Sequence, residues 1–215
     1  MKAVVLLSGG IDSSTTCAIA KDLGYQIYAL TVLYGQVHKK EIEAAKRVSK
    51  ALGVNEHKII EIPTLPGSPL TGEGSIPNGD LSRKGVALTF VPARNIILLS
   101  LAANYAHSIG SGDIFIGANS VDFSGYPDCR EQFIEKFEKA LSEGMGEDYR
   151  IHSPIINMTK GEIIVLGTKL GVDYSLTTSC YRGGELACGK CDSCLIRLKG
   201  FSEAGIKDPI KYIIS

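Results

Sequence analysis

The sequence predicts an α/β fold, a doubly wound parallel five-stranded sheet with a cysteine-rich helical segment at the C-terminus. Three observations carry that expectation. Continuous apolar runs such as Ala3-Val4-Val5-Leu6-Leu7 alternate with helical segments, the pattern of strands buried on both faces and joined by right-handed crossovers. The first run enters a glycine turn, Ser8-Gly9-Gly10-Ile11-Asp12-Ser13-Ser14, that leads directly into a helix. Four of the six cysteines gather between Cys180 and Cys194.

The elements follow in order. Thr15 to Gly24 reads as a helix closed by glycine, and Tyr25 to Tyr34 as a second buried strand. Val37 to Leu52 is amphipathic, with Ile42, Ala45, Val48, Ser49 and Leu52 on one stripe and Gly53 ending it. His57 to Ile62 is a third strand. From Pro63 to Val91 prolines and glycines break the rhythm, and two readings stand: a lid over the site, or a tolerated surface insertion. Arg94 to Ser108 is an apolar helix, Asp113 to Gly117 a fourth strand, and Arg130 to Leu141 an amphipathic helix. Ile151 to Ile156 is a short extended run, and Thr159 to Leu170 a helix opened by a Thr159–Glu162 capping box.

Composition narrows the function classes. With 215 residues the chain can bury a sizeable core in one domain. Basic and acidic residues number 23 each, so no global field draws in nucleic acid, and stable nucleic-acid binding is not expected. No stretch approaches the ~20 apolar residues of a membrane span. The N-terminus enters a core strand without a charged-then-apolar leader, which points to the cytoplasm. Clustered cysteines in that compartment read as metal ligands rather than disulfides.

The glycine turn lets the backbone approach a ligand and aims helix N–H groups at an anion, with the Ser8, Ser13 and Ser14 hydroxyls as further donors. No G-x-x-x-x-G-K-[ST] pattern is present, so no lysine is expected to reach the phosphates as in a Walker loop. Asp12 would repel phosphate unless it held Mg²⁺ or accepted backbone bonds. The competing reading is a tight turn of small residues. The motif S-G-G-x-D-S resembles the PP-loop of the ATP pyrophosphatases (adenine nucleotide alpha-hydrolase type), which activate a carbonyl or carboxylate oxygen as an adenylate. That resemblance implies ATP contacts along Ser8, Gly9, Gly10, Ile11, Asp12, Ser13, Ser14, Thr15, Thr16, Cys17 and Ala18.

Further along, Cys180, Cys188, Cys191 and Cys194 can close a tetrahedral Zn²⁺ site with no open position, a structural site. Such a site would pin Thr177-Thr178-Ser179 and Tyr181-Arg182, while Lys190, Arg197 and Lys199 beside it look superficially like a nucleic-acid knuckle. Arg94 opens a helix where a cation can neutralise a phosphate as its charge develops; a solvated helix-start arginine is the alternative. His38 is read as a surface or capping residue, and Cys129 as a small buried thiol. The loop Gly117 to Arg130 offers Asp122, Phe123, Tyr126, Asp128 and Arg130 on a kinked backbone, a mix suited to a planar heterocycle. Asp128 is the first candidate to accept from ring N–H groups and Asp122 the second, with Phe123 or Tyr126 stacking.

Taken in order, the PP-loop, Tyr34-Gly35-Gln36-Val37-His38, Val91-Pro92-Ala93-Arg94-Asn95, Ser124 to Arg130 and Ser179-Cys180-Tyr181 with its cysteine trio resemble the QueC family, the 7-cyano-7-deazaguanine synthases. Ala93 departs from the glycine expected there. The resemblance implies a cytoplasmic, homodimeric, zinc-containing ligase that converts 7-carboxy-7-deazaguanine, ATP and ammonia into a nitrile precursor of queuosine and archaeosine. It implies a PP-loop domain over 1–176, with Asp12, Ser13 and Arg94 catalytic, and a zinc-binding segment over 177–215. Two rivals stand beside it: another PP-loop ligase or tRNA thiolase, and a non-catalytic nucleotide-binding module with an RNA-contacting knuckle.

Overall fold

The computed structural model describes residues 1–37, 40–121 and 126–213. In chain order its elements are β1 (Lys2–Leu6), α1 (Ile11–Asp22), β2 (Gln26–Leu33), α2 (Lys40–Leu52), β3 (Glu56–Glu61), α3 (Arg94–Ser108), β4 (Asp113–Phe115), α4 (Glu131–Met145), β5 (Arg150–His152), α5 (Lys160–Lys169) and α6 (Asp192–Glu203). Short 3-10 turns occupy Pro69–Thr71, Pro127–Cys129 and Tyr174–Leu176. The strands form one parallel sheet of five in the order β3-β2-β1-β4-β5, the doubly wound arrangement that the sequence predicts.

β1 is central, in register with β2 from Lys2↔Gln26 to Leu6↔Leu30 and with β4 at Val4↔Ile114. Its pleat sends Ala3, Val5 and Leu7 into a core shared with α1, α2, α5 and α6, and Val4 and Leu6 into a core shared with α3 and α4. Both faces are covered, which is why the run is apolar without alternation. Winding reverses between β1 and β4, and at that switch point the carboxyl ends of the strands open a crevice.

Several boundaries differ from the sequence reading for identifiable reasons. α1 starts at Ile11 rather than Thr15, inside the glycine motif, because Ser14 N–H already donates to Gly10 C=O (3.1 Å) and closes the first turn. The Ser14 hydroxyl donates to the same carbonyl at 2.6 Å. α5 has the expected capping box, with Thr159 Oγ1 accepting from Glu162 N–H (3.3 Å) and Glu162 accepting from Thr159 N–H (2.7 Å). Residues 63–91 are strapped down at both ends. Leu65 N–H donates to Tyr34 C=O (3.0 Å), Val37 N–H to Leu70 C=O (3.1 Å), and Gly79 N–H to Lys190 C=O (2.7 Å). The stretch is therefore a wall between the sheet edge and the cysteine segment, and its Leu70 faces the crevice. No helix among the described residues is long and apolar enough to cross a membrane.

The entry to α3 carries a strain. Ala93, its N-cap, has φ 59° and ψ 9°, and it is the one non-glycine of positive φ among the described residues. Left-handed backbone costs an L-residue about 1–2 kcal/mol. Replacing Ala93 by glycine removes a Cβ conflict at the price of added unfolded-state entropy. Ala93→Gly is expected to raise the unfolding free energy by about 1 kcal/mol in urea melts with unchanged slope. A lower midpoint would contradict the strain.

Candidate active site

The crevice is a cavity of about 270 Å³ at the carboxyl ends of β1, β2 and β4. One end is the glycine turn. Ser8, Gly10, Ile11, Asp12 and Ser13 line it, and the start of α1 presents the amides that a helix leaves unpaired. The turn holds its shape by internal bonds: Ser8 N–H donates to Ser13 Oγ (3.1 Å), and the two serine hydroxyls lie 3.0 Å apart. Gly9 has φ +79°, and a Cβ there would lie 2.5 Å from Ala45 N and 2.8 Å from Ala44 C, so α2 packs its backbone directly on the turn. From the other side Thr178 N–H donates to Gly9 C=O at 3.0 Å. Of the expected ATP contacts, Gly9, Ser14, Thr15, Thr16, Cys17 and Ala18 lie behind the cavity rather than on its wall. Thr15 and Thr16 are fully buried, and Thr15 Oγ1 sits 2.7 Å from Tyr174 Oη. Burial pushes the Cys17 thiol up to about 12, so it is inert.

The sequence reading expects no Walker-type lysine, and none follows the glycine turn, but a lysine from a distant element reaches that turn. Lys160, the first residue of α5, is buried and donates to Asp12 Oδ1 at 2.5 Å. A cation at a helix N-terminus opposes the helix dipole, and a buried one needs a partner. Asp12 supplies it, and the pair sets one acid and one base at the cradle. The available signal was a lysine inside an otherwise well-formed capping box.

The far end of the cavity is built by α3 and by tyrosines. Arg94 lines it with Tyr34, Tyr126 and Tyr181. Burial works against the Arg94 charge, but Tyr34, Cys129, Asp128 and Tyr126 outweigh it and hold the guanidinium's pKa above its ordinary value. Tyr126 hydroxyl is 2.7 Å from Thr89 Oγ1. Cys129 is buried, which raises its thiol to about 11 despite Arg94, as suits a packing residue.

Of the five substrate-loop candidates, Tyr126 lines the cavity, Asp128 and Arg130 do not, and the other two fall outside the described residues. Asp128 is buried but does not line the cavity; its Oδ2 accepts from Asn95 N–H (3.1 Å), capping the first turn of α3, while Asn95 Nδ2 donates to Asp128 C=O (3.0 Å). Its carboxylate is spent on positioning Arg94's helix. Arg130 is exposed at the N-cap of α4 and faces a separate surface groove with Phe133 and Lys136. Asp122, Phe123 and His38 lie outside the described residues. The sequence reading also missed Glu41, in the first turn of α2, which lines the cavity.

The Cys180, Cys188, Cys191 and Cys194 ligand atoms all lie within 4.8 Å of one another and are buried. Hydrogen bonds from Cys191 and Cys194 pull the Cys180 thiol well below its ordinary value, towards the thiolate a metal takes. Cys188 Sγ accepts from the Lys190 and Cys191 amides (3.4 Å each), which orient it. This donor set is compatible with a zinc site. Three residues beyond Cys194, Arg197 is fully buried rather than on a knuckle surface. It donates from Nε and Nη2 to Asp208 (2.9 Å each), and from Nη1 to Thr177 Oγ1 (2.8 Å) and Ser179 Oγ (3.4 Å). Thr178 and Ser179 line the cavity, so Arg197 bonds directly to part of that wall. Removing one partner of such a pair strands a buried charge. Asp208→Ala is expected to cost about 3–5 kcal/mol in denaturant melts, and a loss under 1 kcal/mol would show the pair to be dispensable.

Comparison with known proteins agrees with this geometry. The sequence model of the family described as "Queuosine biosynthesis protein QueC" matches residues 2–205. A 7-cyano-7-deazaguanine synthase of Desulfatibacillum aliphaticivorans is 52% identical, covering 99% of this chain and 97% of that protein. One of Thermoplasma acidophilum is 50% identical over 98% and 92%. Among solved structures, the NMN synthetase of Francisella tularensis shares the fold, with TM-score 0.52 at 20% identity over 96% of this chain and 72% of that one. With residues 2–205 matched by the family's sequence model and 99% of the chain covered by a relative 52% identical to it, the chain belongs to the QueC family.

Proposed function

We propose that the chain converts 7-carboxy-7-deazaguanine, ATP and ammonia into 7-cyano-7-deazaguanine, the activity that its relatives' name describes. The observation that carries the reading is a single cavity with an anion cradle at one end and Arg94 among tyrosines at the other. The substrate carboxylate attacks the ATP α-phosphorus, its oxygen forming the new P–O bond as pyrophosphate leaves into the cradle of Ser8, Gly10, Ile11, Asp12 and Ser13. Ammonia attacks the acyl carbon and AMP departs, leaving the amide and one proton. A second adenylation, on the amide oxygen, makes that oxygen a leaving group, and loss of AMP and a proton gives the nitrile. Lys160 meets charge on the departing pyrophosphate, and Arg94 meets charge developing at the reacting phosphate. Asp12 keeps Lys160 extended towards the cradle. Mg²⁺ would arrive on the phosphates of ATP, with the Asp12 carboxylate as its contact, and would neutralise their charge.

The cysteine cluster would hold one structural Zn²⁺ per chain through Cys180, Cys188, Cys191 and Cys194, with no position left for substrate. It acts on the reaction through the 177–182 wall. A homodimer in the cytoplasm belongs to the same proposal, with sizing chromatography as the check on assembly.

Incubation with ATP, ammonium and 7-carboxy-7-deazaguanine should yield the nitrile, AMP and pyrophosphate by mass spectrometry; absence of the nitrile with all three supplied would overturn the reading. Asp12→Ala and Ser13→Ala should leave folded protein that forms no adenylate, and Lys160→Met should lower the rate about 10²–10³-fold. Pyrophosphate release at the unmodified rate from these variants would remove the cradle from the mechanism. Cys191→Ser should lose stoichiometric zinc by elemental analysis and unfold the C-terminal segment ahead of the rest, since a structural site contributes folding energy directly. Wild-type protein without bound zinc would reject that site.

A further inference from the structure

Arg94 opens α3 behind Ala93, whose left-handed backbone offers the helix no side-chain cap. The cap comes instead from Asp128, through the bond from Asn95 N–H to its Oδ2 (3.1 Å). That bond fixes the start of the helix but not the long arginine side chain, which is free to adopt many rotamers. Asn95 supplies the rest. It lines the cavity although only 4% of its surface is exposed, and its carboxamide is held on both sides. Nδ2 donates to Asp128 C=O (3.0 Å) and Cys129 Sγ (3.4 Å), while Oδ1 accepts from Arg94 Nε (3.3 Å). The reversed amide would set donor against donor at the guanidinium and acceptor against acceptor at the carbonyl, so the network admits one orientation.

Adjacent side chains on a helix do not face each other, so this bond holds the guanidinium in a place that helix geometry alone would not give it. Charge is arranged to the same end. Arg83 and Arg197 pair with aspartates, whereas Arg94 makes no ion pair among the described residues. Asp128, a buried anion bonded to the same Asn95, stands beside it. We propose that Asn95 is a positioning residue, whose neutral amide holds the Arg94 guanidinium on the cavity wall and keeps it from closing onto Asp128. The cation then meets the reacting phosphate without having been neutralised by the protein. A carboxylate at position 95 would pair with the guanidinium, and an apolar side chain would hold neither the guanidinium nor the Asp128 carbonyl. The inference rests on the reaction and the Arg94 role assigned under the preceding heading.

Steady-state kinetics of the full enzyme test it, with urea melts to confirm folding. Asn95→Ala should lower kcat for nitrile formation about 10–100-fold and leave the KM for ATP within about threefold. Arg94→Ala should lose at least as much. Adding Asn95→Ala to Arg94→Ala should then cost less than about threefold more, because a residue that acts through Arg94 has nothing left to act on. Asn95→Asp, nearly the same shape, should lose at least as much as Asn95→Ala, whereas an amide needed only for packing predicts the smaller loss; this variant decides the question by itself if Asn95→Ala does not fold. Adding Asp128→Asn to Asn95→Ala removes the competing charge, keeps an oxygen for the cap, and should recover about tenfold in kcat, where a packing defect would deepen. Losses at positions 94 and 95 that multiply, an Asn95→Asp enzyme near the wild-type rate, or no recovery from Asp128→Asn would overturn the proposal while leaving the reaction standing. Arg94→Ala at the wild-type rate would remove the Arg94 role and this inference with it. No nitrile from wild type overturns the reaction as well.

Discussion

The buried Arg197 is the constraint to which the cavity wall answers. A guanidinium with no exposure must have its donors satisfied, and the fold satisfies them with Asp208, the Tyr174 carbonyl, Thr177 and Ser179. The Tyr212 hydroxyl donates to the same Asp208, and the guanidinium stacks over Phe201 at 5.1 Å. Because these partners come from both sides of the cysteine cluster, the chain after Tyr174 cannot shift without stranding the charge. Helix α6, which carries Cys194 and Arg197, packs on α5, which carries Lys160. One buried cation thus ties the cysteine segment to the helix whose Lys160 pairs with Asp12 at the glycine turn.

The glycine turn is held by the same kind of over-determination. Gly9 touches α2 through its missing side chain and Thr178 through its carbonyl, so sheet, helix and C-terminal wall converge on one residue. The turn needs little side-chain chemistry of its own, because its shape is imposed from three directions. That suits a site whose work is to hold phosphates in position, where a displacement of about 1 Å can cost about 10²-fold in rate.

How much of this was legible in the sequence follows the range of each signal. β1, the glycine turn, the capping box of α5 and the cysteine spacing are local patterns with local causes, and they were read correctly. Glu41 and Arg197 carry no local mark, and the one sign at Lys160, a lysine inside a capping box, does not name its partner. Lys160 meets Asp12 across 148 positions, and Arg197 meets Thr177 across 20, so only the folded chain brings these partners together. Asp128 shows the reverse error. Its loop has the composition of a binding loop, yet the unpaired amides opening α3 compete for the carboxylate and win, since a buried N–H left unbonded is costly. At Ala93 the sign was present, since glycine is the residue expected there, and the structure supplies the reason in its positive φ.

The distribution of charge along the cavity suits the two adenylations proposed above. Lys160 and Asp12 face the cradle, and Arg94 faces the other end, so positive charge brackets the place where an acyl or imidoyl phosphate would form. Each activation attaches oxygen to the α-phosphorus of its own ATP and expels pyrophosphate, and a cradle that suits pyrophosphate serves both. What changes between the two rounds is a carboxylate replaced by an amide of nearly the same shape, on a ring whose far edge is unaltered. Fixed charges at both ends therefore suit a single cavity to both activations on the way from a carboxylic acid to a nitrile.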